Sequence, residues 1–391
     1  MITKKNLLAI LFIIIFFASC KKERSTSSSS SVNQDNCVTT MSFHQNDIIP
    51  GQYIVGYNTA SVNARNMNKV GLDQLSNNIL ERNNINSSAL QKSFGGEPGG
   101  FVAMLSEKEV LHLKNDPDIA SIEPDRIVKL GSCFTVAAPT LITWNVKRVG
   151  YGNGIGKRAW IIDSGIDFSH PDLTVDSILS KSFLSNKPSA SDENGHGTHV
   201  AGIIGAKNNS FGVLGVASGA TLVSLRVLDK DGEGILSSII QALSYVNTKG
   251  AAGDVVNMSL GADTTSQILN QQIKNTAARG IYITIPAGND HTDTKNFSPA
   301  NANGPNIYTV SAIDSLDNFA SFSNYGADVD YATPGVRVLS TYMGNRYAYM
   351  SGTSMSAPHL AGLLLLKGNN LSVSGYAKND PDSNPDPIAH Y

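Results

Sequence analysis

Val255-Val256-Asn257-Met258, then Ile268, Leu269, Ile273 and Ala277 at helical spacing, then Gly280 and Ile281-Tyr282-Ile283-Thr284-Ile285 form the stretch that decides the fold. A short apolar run, an amphipathic helix and a second apolar run follow one another within roughly thirty residues, the length of one strand–helix–strand unit. Gly280 supplies the stop, because a residue without a side chain closes a helix cheaply. Working outward, Thr221-Leu222-Val223-Ser224-Leu225 reads as a strand. Ile235, Leu236, Ile239, Ile240, Leu243 and Val246 read as a helix that Gly250 can cap, and Ala159-Trp160-Ile161-Ile162 as a buried strand. Strands apolar at consecutive positions are covered on both faces, so the alternation from about Trp144 onward predicts an α/β fold, a mainly parallel sheet with helices on both faces. Sites in such sheets form at the carboxyl ends of strands, so the chemistry belongs just after the apolar runs. No internal repeat is present.

Three polar segments meet that expectation. Asp163 directly follows the strand 159–162, within Asp163-Ser164-Gly165-Ile166-Asp167. His196 lies in Asn194-Gly195-His196-Gly197-Thr198-His199-Val200-Ala201-Gly202, and Ser354 in Ser351-Gly352-Thr353-Ser354-Met355-Ser356-Ala357-Pro358-His359. A carboxylate, an imidazole and a hydroxyl are what nucleophilic acyl transfer requires: the imidazole takes the hydroxyl proton and the carboxylate orients the imidazole. Gly195 and Gly197 let backbone approach a reacting group, and Val200, Ile203 and Ile204 suit a buried helix that starts at His196. Gly352 lets the chain turn into a helix with Ser354 at its mouth, where free N–H groups and the positive dipole end lie. Pro358 cannot donate to the carbonyl of Ser354 and is expected to bend that helix. His196 and His199 could instead be metal ligands one turn apart, but no third ligand stands out, so a structural role is preferred for His199, and packing or turn roles for His359 and His170.

The ordered set Asp163-Ser164-Gly165, His196-Gly197-Thr198-His199 and Gly352-Thr353-Ser354-Met355-Ser356-Ala357-Pro358 resembles the subtilisin family of serine proteases, over about 144–366. The resemblance implies Asp163, His196 and Ser354 as catalytic residues. It also implies an oxyanion hole made by the side chain of Asn289, in Ala287-Gly288-Asn289-Asp290, and the backbone N–H of Ser354. Gly232, Glu233 and Gly234, with Ser259, Leu260 and Gly261, would flank an extended peptide and pair with its backbone. Ala287 and Gly288 would help to wall the primary specificity pocket. Residues 49–128 resemble the inhibitory propeptide of the same family through Ile49-Pro50-Gly51-Gln52-Tyr53-Ile54-Val55, Gly100-Phe101-Val102-Ala103 and the segment from Asn115-Asp116-Pro117 to Glu123-Pro124-Asp125. That likeness implies a small α+β, ferredoxin-like unit that is cut off by the enzyme itself. Within it, Ser106 followed by Glu109 is a capping box and starts a helix, and Ile119-Ala120-Ser121-Ile122-Glu123 reads as a short last strand. The family admits structural calcium, although no acidic cluster marks a site, and the chemistry needs no cofactor. Acidic and proline-rich residues 380–387 read as an extended segment that wraps the domain or is solvated.

The N-terminus carries a different message. Lys4 and Lys5, an apolar stretch from Leu7 to Ala18, and Phe17-Ala18-Ser19-Cys20 resemble a bacterial lipoprotein signal, with Cys20 as the lipidated residue; a plain signal peptide cut nearby and an uncleaved anchor are the alternatives. Residues 1–19 are then a leader and 20–48 a tether, nearly all Ser and Thr from Ser25 to Ser31. Residues 49–128 are the propeptide, 129–143 a processing region and 144–391 the catalytic domain. The localisation that follows is the bacterial envelope, with release once processing separates the domain from its anchor. Cys37 and Cys133 could pair in an oxidising compartment; two free thiols are the alternative.

Among 391 residues, 30 Lys and Arg face 32 Asp and Glu, and the cations are scattered, which argues against a nucleic-acid partner. The expected partners are peptide and protein substrates and the chain's own propeptide, acting on a monomer. A lipase or esterase with a nucleophile elbow is disfavoured, because there the serine comes first and the histidine last. A non-catalytic peptide-binding surface lipoprotein should lack a triad residue or Asn289, and none is missing. A proenzyme whose propeptide never leaves is the third reading.

Overall fold

The computed structural model of the chain describes residues 48–65, 67–129, 134–136, 142–261 and 264–391. The leader, Cys20, the tether up to residue 47, Cys37 and Cys133 lie outside the described residues, as do 130–133 and 137–141 of the processing region. No helix among the described residues is long and apolar enough to cross a membrane.

The first unit runs β1 (Ile48–Tyr57), α1 (Lys69–Arg82), β2 (Leu90–Phe94), β3 (Gly100–Met104), α2 (Glu107–Leu113) and β4 (Ile119–Lys129). Its strands lie in the order β4-β1-β3-β2 and every pair is antiparallel, the ferredoxin-like βαββαβ arrangement. Helix α2 starts at the expected capping box: Ser106 Oγ accepts from Glu109 N, and the Glu109 carboxylate accepts from Ser106 N at 2.7 Å. The period of two along the strands sends Val55, Phe101 and Ala103 into a small core with Ile79, Leu80 and Leu113. Ile54 and Val102, on the other face, join the core of the larger unit. Strand β4 is longer than the short strand expected, because its second half pairs with the larger unit.

The larger unit contains β5 (Phe134–Val136), α3 (Trp144–Val149), β6 (Gly152–Asn153), β7 (Arg158–Asp163), β8 (Lys181–Ser182), α4 (His196–Gly205) and β9 (Ala217–Ser218). Next come β10 (Thr221–Arg226), β11 (Glu233–Ile235), α5 (Leu236–Lys249), β12 (Val255–Asn257), α6 (Gln267–Ala277), β13 (Tyr282–Pro286) and β14 (Ile307–Ile313). It ends with β15 (Val329–Pro334), β16 (Val338–Tyr342), β17 (Arg346–Met350), α7 (Thr353–Lys367), β18 (Ser372–Tyr376) and β19 (Pro387–His390). Nine strands form the main sheet in the order β18-β19-β15-β14-β13-β12-β7-β10-β8, and only the β18–β19 pair is antiparallel.

Strand β7 shows why the sheet is apolar throughout. Ala159 and Ile161 face α4 and α7, while Trp160 and Ile162 face α5 and α6. Each such large side chain, removed from water, contributes about 1.5–3 kcal/mol. Trp160 buries its polar end as well, by donating from Nε1 to Asp254 at 2.8 Å. The C-terminal segment wraps the domain: it returns through β19, which pairs with β15 at Ala332 and Ile388, and Asp386 accepts from Ser311 Oγ at 2.5 Å.

Besides the face that carries Ile54 and Val102, the two units meet along one sheet edge and two helix ends. Ile127, Val128 and Lys129 of β4 pair antiparallel with Ile235, Gly234 and Glu233 of β11. Asp125 accepts from Ser237 N at 3.1 Å at the start of α5, and Glu123 accepts from Ser266 Oγ at the start of α6. Carboxylates at helix N-termini satisfy orphan N–H groups or their capping residues and meet the positive dipole end.

Candidate active site

Asp163 is the last residue of β7 and Asn257 the last of the neighbouring β12. The two strands run in register, with Asn257 opposite Ile161, which sets Ser259, two residues on, level with Asp163. Asn289 follows β13, the next strand in the sheet. Three of the expected residues therefore emerge at the carboxyl ends of adjacent strands.

Helices supply the other two. His196 opens α4 and Ser354 is the second residue of α7, and these two helices pack against the same face of the sheet. Gly195 precedes His196 with a φ of 111°, and a Cβ there would fall 2.1 Å from the Tyr342 ring. Only glycine can make this entry into the helix.

His196 Nδ1 donates to Asp163 at 2.8 Å to Oδ1 and 3.0 Å to Oδ2, and both side chains are fully buried. Asp163 Oδ1 also accepts from Ser164 N at 2.7 Å. His196 Nε2 is buried and takes no hydrogen bond. Ser354 Oγ donates to the backbone oxygen of Ser259 at 3.4 Å.

Asn289 Oδ1 accepts from Thr353 N at 2.8 Å and Thr353 Oγ1 at 2.9 Å, which fixes the amide plane beside Ser354. Thr353 Oγ1 accepts in turn from Gly288 N at 3.1 Å. Helix α7 continues through Pro358 rather than ending there. The carbonyl of Ser354, which Pro358 cannot serve, accepts from Ser259 Oγ at 2.8 Å.

Of the expected peptide-binding residues, Glu233 and Gly234 pair with β4, and Gly232 turns into them. Ser259 contacts Ser354 itself, and Leu260 is buried in the core; residues 259–261 pair with no strand among the described residues. Ala287 is buried, and its carbonyl accepts from Asn324 Nδ2 at 3.0 Å.

His199 and His359 make structural contacts. His199 Nε2 donates to the carbonyls of Val338 and Ala348 at 3.1 and 3.0 Å, turned toward β16 and β17, and burial pushes its pKa down to about 3. His359 donates from Nδ1 to Met355 O and accepts from Asn145 Nδ2, both at 2.8 Å, and burial pushes it down to about 4. Both stay neutral at neutral pH. Among the described residues no group of three or more His, Cys, Asp or Glu side chains could hold a metal ion. Asp172 is buried near the surface loop 207–213 and spends both oxygens on Asn209 Nδ2, Val213 N and Tyr347 OH.

Asp192 escaped the sequence reading. Its Oδ1 accepts from Ser164 Oγ, Asn194 N and Gly195 N at 3.0, 2.9 and 2.9 Å. Its Oδ2 accepts from Thr198 N and Thr198 Oγ1 at 3.0 and 2.6 Å. One carboxylate thus ties the segment after Asp163 to the first turn of the helix that carries His196. The only available signal was its place four residues before His196, followed by Asn194-Gly195, a turn composition.

A buried carboxylate–imidazole pair, a hydroxyl at a helix mouth and a strand of the first unit paired with residues 233–235 are the arrangement expected of a serine peptidase with a propeptide. Comparison with known proteins agrees. The profile of the Subtilase family matches residues 160–375, and that of Peptidase inhibitor I9 matches residues 52–131. The chain belongs to the subtilase family. It is 40% identical to the Thermostable alkaline protease of Halalkalibacterium halodurans, over 68% of this chain and 71% of that protein. It is 39% identical to Subtilisin BL of Lederbergia lenta, over 62% of this chain and 92% of that protein. A crystal structure of a cold adapted subtilisin-like serine proteinase superposes with a TM-score of 0.57 at 31% identity, covering 64% of this chain and 98% of that one. The protein is a subtilisin-like serine endopeptidase with an I9-type inhibitory propeptide at its N-terminal side.

Proposed function

We propose that the endopeptidase works through an acyl-enzyme on Ser354, and that its first substrate is its own chain. The observation that carries the reading is the buried Asp163–His196 hydrogen bond, which holds the imidazole with Nε2 as its reactive nitrogen. In this mechanism Ser354 Oγ attacks the carbonyl carbon of the scissile peptide while His196 Nε2 takes its proton. Asp163 stabilises the imidazolium without accepting the proton. The oxyanion is held by the N–H of Ser354 and the Asn289 amide. His196 then protonates the leaving amine, and water, deprotonated by the same nitrogen, releases the acyl group.

Strand β4 accounts for inhibition and processing together. It pairs with the cleft segment up to Lys129, and the chain pairs with the other side of the site from Phe134, opposite Met350. We place the cut between those two residues, within the region expected at 129–143. Substrates add a strand in the same way, supported mainly by backbone hydrogen bonds.

The precursor is read as an envelope lipoprotein anchored at Cys20 and acting as a monomer. Because the anchor precedes the propeptide, processing severs the catalytic domain from it. A Cys37–Cys133 disulfide keeps the pieces joined if the cut falls before Cys133. N-terminal sequencing of the wild-type and Ser354→Ala proteins tests the scheme. The expected outcome is a cut chain that hydrolyses casein for the first and an uncut, inactive one for the second. Processing at the wild-type rate by Ser354→Ala would overturn the nucleophile. Release from membranes that is indifferent to reductant would overturn the tether.

A further inference from the structure

The cleft segment offers very little side chain to the strand it pairs with. Gly232 and Gly234 have none, and a Cβ on Gly234 would fall 2.3 Å from the backbone oxygen of Val227. Glu233 is therefore the one side chain between them, and its register partner is Lys129. Residues directly opposite in an antiparallel pair share a face of the sheet, and opposite charges at such positions attract.

The position of Glu233 is built rather than incidental. Asp229 Oδ1 accepts from Asp231 N at 2.9 Å and Glu233 N at 3.0 Å, and Asp229 N donates to Glu233 O at 2.8 Å. These bonds close a tight loop that presents the segment to the cleft. The charges beside the loop are paired with one another, Glu193 with Lys187 included. Lys230 is held by Asp231 at 2.5 Å, and Glu193, from the loop before His196, is already paired with the buried Arg226 at 2.9 Å.

We propose that Glu233 is a specificity-determining residue that selects substrates with Lys or Arg at the position Lys129 takes, on the acyl side of the cleaved bond. The propeptide carries that same residue, so it presents the enzyme with its preferred sequence. The proposal rests on reading 232–234 as the peptide-binding strand of the active site. It adds the chemical class of the side chain recognised there. Val128 and Ile127 fall at the register positions of Gly234 and Ile235, so Lys129 is the one charged residue of the three and stands at the register position of the one acidic residue of the segment.

The test uses the processed enzyme and peptides that follow the chain's own Ile127-Val128-Lys129 sequence, with Lys, norleucine or Glu at the third position. The wild type should prefer Lys to norleucine by about threefold in kcat/KM, with Glu poorest, as expected for one cross-strand ion pair. In Glu233→Gln the Lys-to-norleucine ratio should fall to about one, and in Glu233→Lys the order should reverse. Because each ratio is taken within one enzyme, a general loss of activity in a variant cannot imitate the result. Salt near 1 M should flatten the wild-type ratio, since salt screens an ion pair in contact with solvent. Equal rates on Lys and norleucine peptides by wild type, or a preference that survives in Glu233→Gln, would overturn the assignment. Cleavage of the same peptides by Ser354→Ala at the wild-type rate would instead sink the catalytic reading, whatever the ratios.

Discussion

Ser259 Oγ donates a hydrogen bond of 2.8 Å to the backbone oxygen of Ser354, the carbonyl that Pro358 leaves without its helical donor. The helix that carries Ser354 therefore holds a proline one turn in, and a side chain from the end of a neighbouring strand repairs the defect. Ser259→Ala should leave a buried carbonyl unpaired and destabilise the protein by about 1–3 kcal/mol. Pro358→Ala restores an N–H at the right place and should recover much of that loss in the double variant. Urea unfolding of the four proteins on a Ser354→Ala background, where self-digestion is absent, measures the coupling.

Asp192 receives five hydrogen bonds from residues on both sides of His196 and from Ser164. Asp192→Ala would strand buried donors in the first turn of α4. A stability loss of about 3 kcal/mol or more is expected, together with a fall in kcat that exceeds any change in KM. An unchanged kcat in a folded Asp192→Ala enzyme would show that His196 is held by other means.

The Asn289 amide is oriented by Thr353 through two bonds to its Oδ1. Asn289→Ala should lower kcat by about 10²–10³ with little change in KM, the usual cost of one oxyanion donor. Thr353→Val removes one of the two orienting bonds and should cost less, about tenfold, if Asn289 acts as proposed. Steady-state kinetics on one peptide substrate distinguishes the two.

Glu123 lies partly buried between β4 and α6, and burial pushes its pKa from 4.5 up to about 7, against the lowering effect of the Ser266 hydrogen bond. The complex therefore holds a proton that the released propeptide gives up. Propeptide binding should be tightest below about pH 4.5, weaken as the pH rises from there to about 7, and level off above. The slope is at most about tenfold in Kd per pH unit. Glu123→Gln should flatten the profile. Activity recovered after processing, followed as a function of pH, provides the measurement.

Much of the fold was legible because its signals are local. The capping box at Ser106 and Glu109 started α2, and Gly250 closed α5. The consecutive apolar residues of β7, β10, β12 and β13 required a sheet covered on both faces. Helix α1 was missed, since its apolar Leu72, Ile79 and Leu80 are diluted by Asn, Ser and Gln. Strands β14 to β17 were missed because their turns and small residues blur the period of two, and pairing across the sheet rather than propensity holds them.

The site divides along the same line. Motifs at 163, 196, 289 and 354 pointed to the candidate reactive groups, because a carboxylate, an imidazole, an amide and a hydroxyl are recognisable by type and by position after a strand or before a helix. The sequence by itself thus determined the class of chemistry, the doubly covered parallel sheet and the presence of a second, propeptide-like unit. Tertiary structure alone decided that Asp192 clamps the His196 turn, that Ser259 serves the Ser354 carbonyl and that Lys129 lies across from Glu233. The bond from Ser164 to Asp192 and the other two pairs join residues from different segments of the chain. Hydrogen bonds and strand register act over a few ångströms of space, and only folding brings such distant positions within that range.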